Sequence, residues 1–401
     1  MIHTIIQGGV TALQQNKMGL AENLANQALS IDPKNAYANY ILGAVLINKN
    51  HLKEAIRTLK KGLKSEPKNI GIHNLLGAAY QKNGDNREAI LSFRACIKYE
   101  PNFYSAYNNL GVIYKSQGQY KDAILAYKQA VKINPDFGDA LNNLAIMQKD
   151  LGYLDEAKDY FHQAIASGNC TSNAGSNYLL CLNYFKDLTA EDIFFAHRDW
   201  GSRISPQSTC KSNFKAGSKV RNIGYVSADF RAHSVSFFLL PLFKNHNIGE
   251  YSIYCYSTSK IEDHVTSQLR SFVTHWRDVA SLQIDDFYDI VQKDEIDVLI
   301  DLSGHTGGNK LSLFAKKPAP MQITWLGYPN TTGLTQIDYR ITDEVADPPS
   351  DARIHTEKLL FLQDGFLCFE GDKTIVASEV PPVVSNDYIT FGSFNNLTKI
   401  T

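Results

Sequence analysis

The sequence of 401 residues has no surplus of charge: 40 Lys and Arg stand against 41 Asp and Glu, a formal net charge of -1. Without a positive field, recruitment of nucleic acid or of an anionic membrane is not expected, and no local basic patch takes its place. Long apolar runs are also missing. None approaches the roughly 18 residues a membrane span requires, and Met1-Ile2-His3 leads into a polar amphipathic stretch instead of a secretion signal. The six cysteines (Cys96, Cys170, Cys181, Cys210, Cys255 and Cys368) form no Cys-x-x-Cys pair and have no His at zinc-finger spacing. A disulfide framework and a structural zinc are therefore excluded, and reduced thiols in a cytoplasmic protein are expected. There is no Gly-x-Gly-x-x-Gly dinucleotide loop and no Gly-x-x-x-x-Gly-Lys-Ser/Thr phosphate loop, which discounts a nucleotide hydrolase. What remains is a composition of 44% hydrophobic and 20% charged residues, enough to bury real cores over two or three domains.

What the sequence does have is a period. Pro33, Pro67, Pro101 and Pro135 are 34 residues apart, and each follows an acidic or amide residue. A proline there stops one helix, because it cannot join the hydrogen-bond ladder. The same step carries Ala21, Ala55, Ala89, Ala123 and Ala157, then Gly43, Gly77 and Gly111 with Ala145, then Gly84, Gly118 and Gly152. These registers predict one helical hairpin per period. Small residues such as Gly77 and Ala89 let two helices approach, and Gly84 and Gly118 supply a left-handed turn between them. Leu59, Phe93, Tyr127 and Phe161 fill the space against the next hairpin. One hairpin cannot bury its apolar face alone, so the hairpins stack into a superhelix. Over about residues 2 to 171 this pattern resembles the tetratricopeptide repeat family, with five units and an irregular first one as a cap.

Within the repeats, Asn74, Asn108 and Asn142 share one register, and Asn109 and Asn143 occupy the next position. Two readings stand: amides that cap or solubilise an exposed helix face, or a row that hydrogen-bonds the backbone of an extended peptide in a concave groove. A similar asparagine ladder is known in the repeats of protein O-GlcNAc transferases.

From 172 to 219 the period ends, and a helical linker is expected. Leu188-Thr-Ala-Glu-Asp-Ile opens one more helix with a capping-box pattern, and 205–218 reads as a connector. Beyond it, strand-length apolar runs at 220–227, 251–257, 296–302, 322–327 and 338–342 alternate with helical patterns around 235–245, 261–271, 283–293 and 309–316. Such alternation predicts a parallel sheet with helices on both faces, where ligands sit at the carboxyl ends of strands. Three loops at such ends are polar or Gly-rich. The first holds Asp229 and His233, a capping aspartate and a solvated histidine or a catalytic pair. The second, Asp301-Leu-Ser-Gly-His-Thr-Gly-Gly-Asn, places His305 and Thr306 where backbone N–H groups could cradle a phosphate or sugar. The third is Trp325-Leu-Gly-Tyr-Pro-Asn-Thr-Thr-Gly.

These stretches, with Ile223-Gly-Tyr-Val-Ser-Ala-Asp-Phe, Pro318-Ala-Pro-Met-Gln-Ile-Thr-Trp, Asp338-Tyr-Arg-Ile-Thr-Asp and Phe391-Gly-Ser-Phe-Asn-Asn-Leu-Thr-Lys, resemble the catalytic region of the O-linked N-acetylglucosamine transferase family, bacterial branch, from about residue 175 onward. The resemblance implies an α-helical repeat superhelix followed by an α/β Rossmann-like lobe at 220–385, the N-terminal half of a GT-B glycosyltransferase, with 386–401 beginning a second lobe that is mostly missing. It implies transfer of GlcNAc from UDP-GlcNAc to Ser or Thr of client proteins held in the repeat groove, without a metal, in keeping with the lack of an Asp-x-Asp motif beside a metal-ligand cluster. Asp229, His233 and His197 take the family's catalytic positions, although His197 also reads as a helix-surface histidine. Lys399 matches the lysine that steadies the UDP phosphates, or is a solvated lysine, and Asn396 stands where many members carry Gln. Leu326, Gly327, Tyr328 and Pro329 would border the sugar nucleotide. Residues around 229, 305, 327 and 399 are thus expected at one mouth. With half a cleft, little or no activity is expected of this chain alone, and a non-enzymatic repeat adaptor is the alternative.

Overall fold

A computed structural model describes residues 2–168, 174–205, 221–371, 376, 379–386 and 388–389. The chain divides into two compact units, Met1–Ala174 and Gly175–Thr401.

The first unit is five helical hairpins. Helices α1 (Ile2–Gln14) and α2 (Met18–Ile31) form the first, α3 (Ala36–Asn48) and α4 (Leu52–Ser65) the second, and α5 (Ile70–Asn83) and α6 (Asn86–Tyr99) the third. The fourth is α7 (Tyr104–Ser116) with α8 (Tyr120–Ile133), and the fifth α9 (Gly138–Asp150) with α10 (Leu154–Ala166). The chain reverses within each hairpin through one left-handed residue, at Gly84, Gly118 and Gly152 as expected and at Asn50 and Asn16 in the two hairpins before them. Asparagine tolerates that conformation better than other L-residues, so the register survives where glycine is missing. The registers of small and large residues pack on each other. A Cβ on Gly77 would lie 2.5 Å from the Phe93 ring, and one on Gly111 the same distance from Tyr127. Leu59, Phe93, Tyr127 and Phe161 are all fully buried, one in each of the last four hairpins.

The second unit opens with α11 (Ala174–Leu182) and α12 (Ala190–Ile204), the latter with a reciprocal capping box between Thr189 and Asp192. A parallel sheet follows: β1 (Arg221–Ser227), β2 (Tyr251–Ser257), β3 (His275–Asp278), β4 (Val298–Asp301), β5 (Met321–Thr324), β6 (Tyr339–Thr342) and β7 (Lys358–Phe361), in the order 3-2-1-4-5-6-7. Helices α13 (Ser236–Lys244), α14 (His264–Ser271), α15 (Ile284–Lys293) and α16 (Leu311–Ala315) cover its two faces. Successive strand residues serve opposite cores. Tyr225, Ile253 and Ile300 pack with Leu239, Phe243 and Leu269 on one side, while Val226, Tyr256 and Leu299 pack with Phe287, Val291 and Phe314 on the other.

Three expectations need correction. Helices α11 and α12 are not a separate linker at 172–219, because they cluster with the sheet: the Trp200 ring stands 4.6 Å from that of His305. The run at 322–327 stops as a strand at Thr324, since Leu326 adopts φ 76°, which no strand continues. Strands β3 and β7 were not expected. Both lie at sheet edges, and His275-Trp-Arg-Asp carries no apolar run to announce it. Of the second-lobe beginning expected at 386–401, only Asn386, Tyr388 and Ile389 are described, and none is in a strand.

The paired registers predict a sharp contrast between two truncations. Phe93→Ala, which empties a fully buried site, should cost about 3–5 kcal/mol in urea unfolding. Leu125→Ala, at a residue 66% exposed, should change stability by less than about 0.5 kcal/mol. Equal losses would refute the packing described.

Candidate active site

Strand order reverses between β1 and β4, which pair from Ile223 with Val298 to Val226 with Asp301. A doubly wound sheet opens a crevice at such a point, outside the carboxyl ends of its strands. A cavity of about 640 Å³ lies among the loops that leave β1, β2, β4 and β5.

The β1 loop supplies Asp229, Arg231 and His233. Its backbone is held from both ends: the Asp229 N–H donates to Ser227 Oγ at 2.9 Å, and Thr266 Oγ1 at the start of α14 donates to the Phe230 carbonyl at 2.7 Å. Asp263, which caps α14, also accepts from the Ala232 N–H at 2.7 Å. The buried Asp229 carboxylate receives Arg231 Nη2 at 3.3 Å and lies 3.7 Å from His233 Nδ1. Asp229 therefore does not cap a helix, and His233 is half-buried at the cavity wall. Arg231 Nε is buried with no hydrogen-bond partner among the described residues, so a cationic donor is left unsatisfied at the cavity wall.

The β4 loop turns on Asp301, a fully buried carboxylate that accepts from the N–H groups of Ser303 (3.1 Å) and Gly304 (2.8 Å) and from Thr324 Oγ1 (2.9 Å). Burial raises its pKa above the usual carboxylate value, against these hydrogen bonds. This arrangement brings Thr306, Gly307 and Gly308 to the cavity, and Thr258 Oγ1 of the β2 loop donates to the Gly308 carbonyl at 2.9 Å. From the β5 loop come Leu326 and Gly327, the latter so close to the Leu302 backbone that a side chain has no room.

His305, Tyr328, Pro329 and His197 fall elsewhere. His305 is fully buried; its Nε2 donates to the Thr332 carbonyl at 2.9 Å, which leaves Nδ1 to accept from Ser176 Oγ at 3.0 Å. It is a scaffold residue of the Gly-rich loop and does not line the cavity. His197 is equally buried, against the expectation of a helix-surface residue. Its Nδ1 donates to the Ile193 carbonyl at 2.7 Å, so Nε2 accepts from the Tyr328 hydroxyl at 2.8 Å. That hydroxyl in turn accepts from Asn183 Nδ2 at 2.9 Å. Tyr328 thus points into the protein, Pro329 lies exposed beyond the lining, and only Leu326 and Gly327 of that tetrad border the cavity. Lys399 and Asn396 lie outside the described residues.

Arg231 and the Thr258-Ser259-Lys260-Ile261 loop were missed by the sequence reading. Arg231 directly follows the Ile223–Phe230 stretch, two residues after Asp229, and the β2 loop follows a strand that ends where expected. Arg340 lies within Asp338-Tyr-Arg-Ile-Thr-Asp but nothing there marked its role, and Glu357 carried no signal. Arg340 Nη1 donates to the carbonyls of Tyr328 and Asn330 at 3.0 and 3.1 Å, while the buried Glu357 accepts from the Thr332 N–H at 2.8 Å and from Thr331 Oγ1 at 2.6 Å.

The amide registers of the first unit are not an exposed face. Asn108 and Asn142 are buried, with Asn74, Asn109 and Asn143 half-buried. Asn109 Nδ2 donates to Asn74 Oδ1 at 3.3 Å and Asn143 Nδ2 to Asn108 Oδ1 at 2.9 Å, so each bond ties the first helices of neighbouring hairpins.

Burial pushes the His197 pKa down to about 4. The unfolded chain, with a histidine value near 6.5, then binds the proton that the folded state refuses. Stability from this residue is fully present above about pH 6.5 and is lost as pH falls toward about 4, on the order of 3 kcal/mol across the window. Histidine-selective ¹⁵N NMR should find the His197 ring neutral, with its proton on Nδ1, at about pH 5. A midpoint near about 6.5 would refute the burial argument.

Residues 203–387 match the model of glycosyl transferase family 41, and tetratricopeptide repeat models match 12–79, 70–103, 104–137 and 138–168. The chain is 42% identical over 236 residues to the probable UDP-N-acetylglucosamine--peptide N-acetylglucosaminyltransferase SPINDLY of Solanum lycopersicum, covering 57% of this chain and 25% of that protein. To the probable UDP-N-acetylglucosamine--peptide N-acetylglucosaminyltransferase SEC of Arabidopsis thaliana it is 38% identical, over 37% of this chain and 15% of the other. Among solved structures, a mutant of the O-GlcNAc transferase of Thermobaculum terrenum superposes with a TM-score of 0.69 at 29% identity, covering 74% of this chain and 58% of that one. The chain thus spans about a quarter of the length of the SPINDLY relative. With repeats ahead of it, the segment 203–387, whose strand-end loops enclose the cavity, matches glycosyl transferase family 41.

Proposed function

We propose that the chain is part of a protein O-glycosyltransferase that moves GlcNAc from UDP-GlcNAc to Ser or Thr hydroxyls of client proteins selected by the repeat groove. The observation that carries this reading is the cavity at the β1–β4 reversal, which holds an acid, a cation with an unsatisfied donor and a histidine, within a segment matched to glycosyl transferase family 41. Such a transfer needs a group to receive the acceptor proton and positive charge for the departing diphosphate. His233 receives the proton, beside the Asp229 carboxylate 3.7 Å away, which stabilises the imidazolium that forms. The acceptor oxygen bonds to the anomeric carbon, and the bond from that carbon to the diphosphate oxygen breaks with its electron pair leaving on UDP. Arg231 offers its free donor to the anionic side of the cavity, and Lys399 steadies the diphosphate. Leu326 and Gly327 border the sugar. No step here calls for a metal. His197 acts through Tyr328 on the position of that border and does not itself take the proton.

In the first unit, the amides at 74, 108, 109, 142 and 143 serve as the row along which an extended client backbone binds, Asn74, Asn108, Asn109 and Asn143 keeping hydrogen-bonding capacity beyond the inter-repeat bond each makes.

A panel of UDP- and GDP-sugars offered with Ser/Thr peptides tests the reading. GlcNAc transfer from UDP-GlcNAc is expected, with kcat lowered about 10²-fold or more by His233→Ala and about 10²–10³-fold by Arg231→Ala. Asn108→Ala combined with Asn142→Ala should weaken client binding about tenfold with kcat little changed. Absence of transfer from every donor, or full activity in the His233→Ala protein, would end this proposal.

A further inference from the structure

Each step of the repeat brings one residue of the first helix to the same height: Tyr40, Asn74, Asn108 and Asn142 share that register. Three are amides, and the inter-repeat amide bonds run from Asn143 down to Asn74. At the fourth the chemistry changes. Beside Tyr40 the fold leaves a cavity of about 810 Å³ walled by Val10 of α1, Tyr37 and Tyr40 of α3, and Ile70 and Gly71 of α5. Tyr37 is 51% exposed, so its ring is open to a ligand in the cleft.

Gly71 keeps this cavity open. The residues in its register are Tyr37, Ser105 and Asp139, all with side chains, whereas a Cβ on Gly71 would already stand 3.1 Å from the Tyr40 ring. The rim is the segment between α4 and α5, where Glu66 and Lys68 are both exposed. Glu66 keeps its charge but is held in place by Asn69 Nδ2 at 2.7 Å, while the Lys68 ammonium has no ionic or hydrogen-bonded side-chain partner among the described residues and can turn toward a negative group at the mouth. Two tyrosine rings, with Val10 and Ile70, offer faces and edges suited to a flat ring.

We propose that this cavity is a side-chain subsite of the repeat groove, taking an aromatic residue with an acidic neighbour from an extended peptide whose backbone continues along the amide register. The inference rests on the peptide-binding reading of those amides, to which it adds a sequence preference: amides grip any backbone, and the cavity selects the side chain.

The test uses the whole chain and fluorescein-labelled Ser/Gly/Thr peptides that differ only at a central pair, Trp-Glu, Ala-Glu or Trp-Lys, read by anisotropy. Trp-Glu should bind about tenfold more tightly than Ala-Glu, and Trp-Lys should fall between them. Gly71→Leu, which fills the cavity, and separately Tyr37→Ser, which removes a wall, should bring Trp-Glu to the level of Ala-Glu and leave Ala-Glu unchanged, with circular dichroism checking that both variants fold. Asn108→Ala with Asn142→Ala should weaken all three peptides alike. If it leaves them unchanged while the Trp preference persists, the amide reading fails and the subsite stands. Equal binding of Trp-Glu and Ala-Glu, no binding of any peptide, or a Trp preference that survives both cavity variants overturns the subsite. So does a dimer of the wild-type chain in sedimentation velocity that Gly71→Leu converts to monomer, since a second copy would then be the occupant.

Discussion

The pairing of β1 with β4 is the constraint on which the candidate site depends. Because Val226 stands opposite Asp301, the two strands end at one level, and the loops that leave them turn away from each other around a common opening. Chain order alone would have put β2 and β3 between them; the reversal at β1 makes a crevice instead of a continuous row of helices. Asp229, Arg231 and His233 then reach the cavity from one side and Thr306 to Gly308 from the other.

A crevice between loops holds its shape only if the loops are themselves fixed. Here the fixing is done by buried polar groups that touch nothing in the cavity. Asp301 gathers two backbone N–H groups and a hydroxyl, His305 bonds at both ring nitrogens, and the chain from Asn183 through Tyr328 and His197 ends on the Ile193 carbonyl. Each member is satisfied, so the network rigidifies instead of costing an unpaired buried group. Leu326 keeps its left-handed backbone, a strained state for a γ-branched residue, because Tyr328 two positions later is held by its hydroxyl and its carbonyl alike. The same network depresses the proton affinity of both histidines through burial, which suits them to hold positions and not to exchange protons.

The repeat unit solves a different problem with the same economy. A missing side chain at Gly77 or Gly111 admits a ring from the partner helix, and the interval of 34 residues repeats that contact along the unit. Packing fixes the hairpins, and within it one register of the first helices changes its chemistry. That register passes from amides at 74, 108 and 142 to an aromatic ring at 40. A surface built this way can combine a grip on any peptide backbone with a local demand on one side chain.

By itself the amino-acid sequence determined the repeat unit down to its left-handed turns, the strand-helix alternation, and the loops carrying Asp229, His233, Thr306 and Gly327, because each is written in local periodicity or in a short contiguous motif. Only tertiary structure decided which members of those motifs face the cavity. His305 and Thr306 are adjacent in sequence, yet one is sealed between helices and the other lines the opening. Leu326 and Tyr328 part in the same way. Arg231, the β2 loop and the edge strands β3 and β7 escaped notice because their roles come from neighbours distant in the chain. Direction of a side chain within a loop is set by what packs behind it, and those partners, Ser176, Asn183, Arg340 and Glu357, carry no local signal that links them to the loops they hold.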